Sequence, residues 1–162
     1  MKSFMMWIIE NKQEDFVKDK NGMPQVFYHG TNADFSNFNR AYTTGQMGFH
    51  FGTEDQARSI YKDDGVKYLY RVYLKIKNPL RLDDQGGWYG ENVVQMVNKA
   101  LGIKLNPSAG DRQIAWAIRS AGYDGVVYTN KFEGDGNEDS YIAFTPEQIH
   151  ILDRTAITDN EF

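Results

Sequence analysis

The chain has 162 residues, enough for one domain with a real core and too few for two ordinary domains. Hydrophobic residues make up 41% and aromatics 14%, which excludes disorder and favours a β-rich core. Against 22 acidic residues stand 18 basic ones, a net charge of −4 that lacks the basic excess needed to bind phosphate backbones, so nucleic acid is not the expected partner. Cysteine is absent, which removes disulfides, thiolate nucleophiles and sulfur-ligated metals; nothing requires an oxidising compartment, and a cytoplasmic setting is expected.

The apolar run at residues 4–9 is shorter than a signal-peptide core and is followed by charge, so residues 1–15 are expected to form a short amphipathic helix. No stretch approaches the roughly 20 apolar residues of a membrane span. Lys20-Asn21-Gly22, between Phe16-Val17 and Val26-Phe27-Tyr28, predicts a hairpin whose second strand ends at His29, with Pro24 near a strand start or on an edge. Residues 34–47 are polar with scattered aromatics and read as a long, functional loop. Residues 48–51 form a short strand, and Thr53 with Gln56 has capping-box spacing for a helix reaching Tyr61.

Residues 66–77 alternate, with Tyr68, Tyr70, Val72, Leu74 and Ile76 on one face, and Asn78-Pro79 ends that strand. Helical spacing follows at Val93 to Leu101, before Gly102, and at Ile114 to Ala121, before Gly122, the second helix being capped by Asp111. Strands at 126–129, 141–144 and 148–152 complete the domain, the first two joined by a Gly- and acid-rich loop. A single domain over residues 1–154 is expected, with 155–162 a loose tail.

Periodicity by itself names no active site. The chain has no Gly-rich phosphate loop, no paired histidines at metal spacing and no nucleophile elbow, so neither a metal centre nor a serine hydrolase is expected. A strand-end histidine such as His29 commonly serves only to bond backbone, and Tyr61 alone would pass for a core aromatic. What stands out is His29-Gly30 at a strand end, an aromatic-rich loop, a second strand bearing His50, and an acidic loop entering a third strand.

In that order the segments resemble the motifs of the His-Tyr-Glu class of ADP-ribosyltransferases, which includes poly-ADP-ribose polymerases and diphtheria-type toxins. VFYHGTNADFSNF resembles the first motif, GFHFGTEDQARSIY the second and EDSYIAFTPEQI the third. With the Asn-Gly hairpin, NPLRLDD and YDGVVY added, the chain is most similar to the transferase modules of phage and mobile-element polyvalent proteins, over about residues 16–152. The resemblance implies an α+β fold with a split antiparallel sheet and flanking helices, and NAD as co-substrate. It implies that His29 binds the nicotinamide-side ribose, the Gly30 backbone holds the carboxamide and Thr31 stabilises the turn. Tyr61, eleven residues beyond His50, would stack on nicotinamide with Phe51 beside it, a contact worth on the order of 0.5 to 2 kcal/mol. The loop 38–48, with Arg40 and Gly48, would cover the pyrophosphate.

Two positions depart from the class. His50 stands where it has Tyr, and Ser140 stands where it has the catalytic Glu, leaving Asp139 and Glu138 as the substitutes for a carboxylate that stabilises the departing charge. The resemblance therefore implies transfer of a single ADP-ribose to a protein or other macromolecular acceptor that the sequence does not name. Two alternatives share the fold: an inactive domain that binds NAD or ADP-ribose, and an RNA 2′-phosphotransferase-like enzyme, against which the missing basic groove argues.

Overall fold

The structure is a computed structural model that describes residues 15–42, 47–60 and 65–158. The helix expected over residues 1–15, apart from Asp15, and Tyr61 lie outside the described residues. Among the described residues two sheets form the frame. The first holds β1 (Phe27–Thr31), β3 (Tyr68–Leu74) and β7 (Ile149–Ala156) in the order β1-β3-β7. The second holds β2 (Phe49–Phe51), β6 (Asp139–Ala143), β5 (Gly125–Thr129) and β4 (Pro79–Arg81) in the order β2-β6-β5-β4. Every pairing is antiparallel except β4 with β5, so the expected α+β architecture carries one parallel edge.

That edge is where the expectation that Asn78-Pro79 merely ends a strand gives way. Pro79 starts β4, a place where its missing N–H costs nothing, and the Asp124 carboxylate takes the backbone N–H groups of Lys77 and Asn78, both at 2.8 Å. Gln148 fastens the same corner: its side-chain oxygen accepts from Phe144 N and its amide donates to the carbonyls of Lys75 and Asp124. The NPLRLDD, YDGVVY and PEQI segments are thus partners in one set of backbone clasps.

β3 is central and is covered on both sides. Tyr70, Val72 and Leu74 face the core between the sheets with Phe27, Phe51 and Ala143. Tyr73, on the other face, is also buried because Phe16 covers it at 5.3 Å. The expected hairpin at Asn21-Gly22 shrinks to one bridge, Lys18 with Pro24, closed by Asp19, whose carboxylate accepts from Asn21 N and Met23 N. β7 runs on through Thr155 and Ala156, which pair with Leu69 and Tyr68, so the tail begins later than residue 155.

Among the described residues three α-helices flank the sheets. α1 (Glu54–Arg58) carries the expected capping box from Thr53 and Gln56. α2 (Glu91–Leu101) and α3 (Asp111–Ser120) lay apolar stripes, Val93, Val94 and Val97 with Ile114 and Ile118, over Leu80, Val126 and Ile142 of the second sheet. Asp111 is not the cap of α3. Gly110 holds that position and its N–H bonds to the Gln113 side chain, while Asp111 lies in the first turn, where its charge suits the helix dipole.

α1 lies so close to β1 that a Cβ on Gly30 would come 2.0 Å from the Ala57 carbonyl oxygen. Gly30→Ala must push the helix away from the strand, and a loss of roughly 1–3 kcal/mol or more is expected, read as a lower urea midpoint with the denaturant slope unchanged.

Candidate functional site

The two sheets meet edge to edge at β1 and β2 through a single bridge, in which Tyr28 and Gly52 exchange backbone hydrogen bonds of 2.9 and 3.0 Å. In a continued ladder the His50 carbonyl would next face the Gly30 N–H. Instead, the His29 ring takes that carbonyl, with Nδ1 donating at 2.8 Å. A carbonyl only accepts, so Nδ1 carries the proton and the neutral ring keeps Nε2 as an acceptor. Burial lowers the His29 pKa below its usual 6.5, with the bond to His50 opposing in part. Beyond this point the sheets diverge and a cavity of about 750 Å³ opens.

One wall of the cavity comes from β1 and the following loop. His29, Gly30 and Thr31 line it, and Thr31 Oγ1 accepts from Ala33 N to close the turn. The loop aromatics anchor it. Phe35 stacks on Tyr70 at 4.4 Å, its backbone N and O both bonded to the Tyr70 hydroxyl, and Phe38 packs edge-on against His29 at 5.1 Å. Gly48 also lines the cavity, and a Cβ there would meet the Ala143 carbonyl at 2.3 Å, so β2 depends on a bare backbone to lie against β6. Phe51 packs on His29 at 5.5 Å and on Phe38, behind the cavity wall. Arg40 sits in an exposed 3-10 turn beside Asn39, which does line the cavity.

The other wall comes from the second sheet and the segment after β4. His50 lies edge-on to Trp88, with its Nδ1 3.2 Å from the Tyr128 hydroxyl. Tyr128 packs against Trp88 at 4.2 Å, and its phenol is held protonated, first by burial and then by the nearby Glu133 carboxylate. Tyr89 and Phe132 line the cavity and are 65% and 60% exposed, leaving two large aromatic faces open at its rim. Asp34, Asp84 and Glu133 give the lining its acidic groups.

The sequence candidates for the carboxylate fall elsewhere. Alternation along β6 puts Ser140 on the face shared with Tyr128 and Asp139 on the other. Asp139 there forms a two-pronged pair with Arg81, at 3.0 and 2.7 Å, which holds its carboxyl below the usual range, and also accepts from Thr129. Glu138 is exposed and contributes its backbone carbonyl, bonded to Gln56 Nε2 and Asn130 N. Ser140 is 2% exposed and its hydroxyl donates to Gln56 Oε1 while accepting from Asn130 Nδ2. Sequence reasoning did not name Glu133, Asp84 or Trp88, although Asp84 ends NPLRLDD and Glu133 lies in the acid-rich loop, because only the fold brings them to the cavity that His29 and His50 line.

Among the described residues no cluster of three metal-ligating side chains forms, and no helix is long and apolar enough to cross a membrane. Two sheets joined by one bridge at the His29-Gly30 strand end, with an aromatic cavity beyond it, fit the α+β fold of the ADP-ribosyltransferases. Residues 19–158 match the family described as ADP-ribosyltransferase in polyvalent proteins, and the chain belongs to that family. No curated protein and no solved structure matches it.

The lowered pKa of His29 has a measurable consequence. The unfolded histidine takes up a proton near pH 6.5 while the folded one stays neutral, so the unfolded state binds more protons and stability falls as pH drops through about 6.5 toward the folded value. His150, also lowered by burial and by Lys75, contributes with the same sign. Urea unfolding from about pH 7.5 to about pH 5 should show this loss, and His29→Asn should make the pH dependence shallower by removing one of the two contributions.

Proposed function

We propose that the protein transfers a single ADP-ribose from NAD to a macromolecular acceptor and releases nicotinamide. The observation that carries this reading is the neutral His29, locked to the His50 carbonyl at the point where the sheets part and facing an aromatic cavity of sufficient size. NAD supplies an electrophilic ribose carbon and a leaving group that departs neutral. The lining suits it: Phe38, Phe49, Trp88 and Tyr128 offer flat faces, and Asp84 and Glu133 offer charge opposite to a pyridinium.

In this reading His29 accepts a hydrogen bond from the nicotinamide-side ribose through Nε2, and the Gly30 backbone, unobstructed by a side chain, holds the carboxamide. Thr31 keeps the turn after Gly30 closed. Phe51, behind His29, belongs to the nicotinamide end, and stacking on the nicotinamide is the role that the resemblance gives Tyr61. Asn37, Asn39 and Gly48, with Arg40 beside them, serve the pyrophosphate. His50 is oriented by Trp88 and Tyr128 toward the reacting ribose. Transfer stops at one unit, as the resemblance implies for a chain with Ser140 in place of the glutamate. The acceptor meets Tyr89 and Phe132 at the rim, and the cysteine-free chain suits a cytoplasmic setting.

Nicotinamide release from NAD by the purified protein, with cell lysate as the source of acceptor, tests the reading. His29→Ala should lower release by about 100-fold or more through lost positioning, with the protein still folded by circular dichroism. Full activity in that variant overturns the assignment. The engagement of Ser140 in a buried amide network favours a second reading, a domain that binds without reacting. Its signature is a rise in melting temperature with NAD and no nicotinamide release.

A further inference from the structure

We propose that Glu133, in the loop between β5 and β6, supplies the catalytic carboxylate that position 140 lacks; the proposal rests on the transferase reading above. Of the acidic residues of the third motif and its loop, Glu133 alone is placed on the cavity. Asp139 is committed to Arg81 and Thr129 on the opposite sheet face, and Glu138 is exposed outside the lining.

Glu133 is also held in place, which a solvated loop residue is not. Asn130, 2% exposed, donates through Nδ2 to Glu133 Oε2 at 2.7 Å, and its Oδ1 accepts from the backbone N–H groups of Phe132 and Glu133 at 3.2 and 3.1 Å. The same Nδ2 donates to Ser140 Oγ at 3.1 Å, and Ser140 donates to Gln56 Oε1 at 2.9 Å. Gln56, itself 2% exposed, is fixed by Thr53 N and by the Glu138 carbonyl. The loop is pinned at two further points, Lys131 N to Asp84 and Gly134 N to Ser59 Oγ. A chain of buried amides therefore runs from position 140 to the carboxylate of residue 133. Ser140 and Asn130 are positioning residues, and Glu133 is a preorganised charge that needs little reorganisation when the reaction occurs.

The step that Glu133 serves balances as follows. The bond between ribose C1′ and the nicotinamide nitrogen breaks with its electron pair passing to that nitrogen, which neutralises the pyridinium. The lone pair of the acceptor forms the new bond to C1′, and the proton of the acceptor passes to Glu133 and then to water. Until it takes that proton, Glu133 accepts a hydrogen bond from a ribose hydroxyl and offsets the positive charge that develops on the sugar.

Glu133→Gln, Asp139→Asn and Glu138→Gln, each compared with the wild type, test the proposal through nicotinamide release and through the NAD-induced rise in melting temperature. Glu133→Gln should lower release by about 100-fold or more while keeping the NAD-induced stabilisation. An active wild type with Glu133→Gln equally active overturns the proposal and leaves the transferase reading intact, and loss of release only in Asp139→Asn or Glu138→Gln does the same. Loss of the NAD-induced stabilisation in Glu133→Gln also overturns it, since the residue would then bind rather than catalyse. A wild type that releases no nicotinamide with lysate present overturns the transferase reading and this proposal together.

Discussion

The hydrogen bond from His29 Nδ1 to the His50 carbonyl is the constraint on which the rest of the site depends. One backbone bridge joins β1 to β2, and a second ladder position would zip the two sheets into one. By taking the carbonyl that the ladder would use, the imidazole satisfies a backbone group that otherwise needs a partner, and it ends the pairing there. The same bond sets the tautomer of His29, orients the ring and opens the space between the sheets. One contact thus couples fold to chemistry.

Around that split, close backbone approach is bought with glycine. Gly30 lets α1 lie on β1, and Gly48 lets β2 lie on β6, each where a Cβ would fall within 2.3 Å of a carbonyl oxygen. Gln56 of α1 bonds to Ser140 and to the Glu138 carbonyl, and Ser140 in turn bonds to Asn130. Leaving any of these buried polar groups unpaired costs about 1–3 kcal/mol, so Gln56, Ser140 and Asn130 hold one another in place and carry the 130–138 loop with them. The apolar cores on either side supply the frame, and the amide chain decides where the loop carboxylate sits.

Much of the architecture was legible in the sequence. The alternation at residues 66–77 marked β3, the helical spacing marked α2 and α3, and Thr53 with Gln56 marked the start of α1. The ordered motifs led to the family matched over residues 19–158. β4 was not legible, because a three-residue strand opening at a proline has no period to read and exists only through its pairing with β5 and its clasp to Asp124. The cap of α3 was read one residue late because Gly110 works through its backbone, which leaves no side-chain signature.

The sequence by itself determined the class, the family and the stretch around His29, since these rest on local patterns of residue type in which neighbours in the chain are neighbours in space. Tertiary structure alone decided which carboxylate of the third motif and its loop faces the cavity. Asp139 and Glu138 lie nearest to position 140 along the chain, yet strand alternation sends Asp139 to the far face and leaves Glu138 outside the lining. Glu133, seven residues upstream of Ser140, is held by the turn that the Asn130 side chain closes and is tied to Ser140 through the same Asn130 amide.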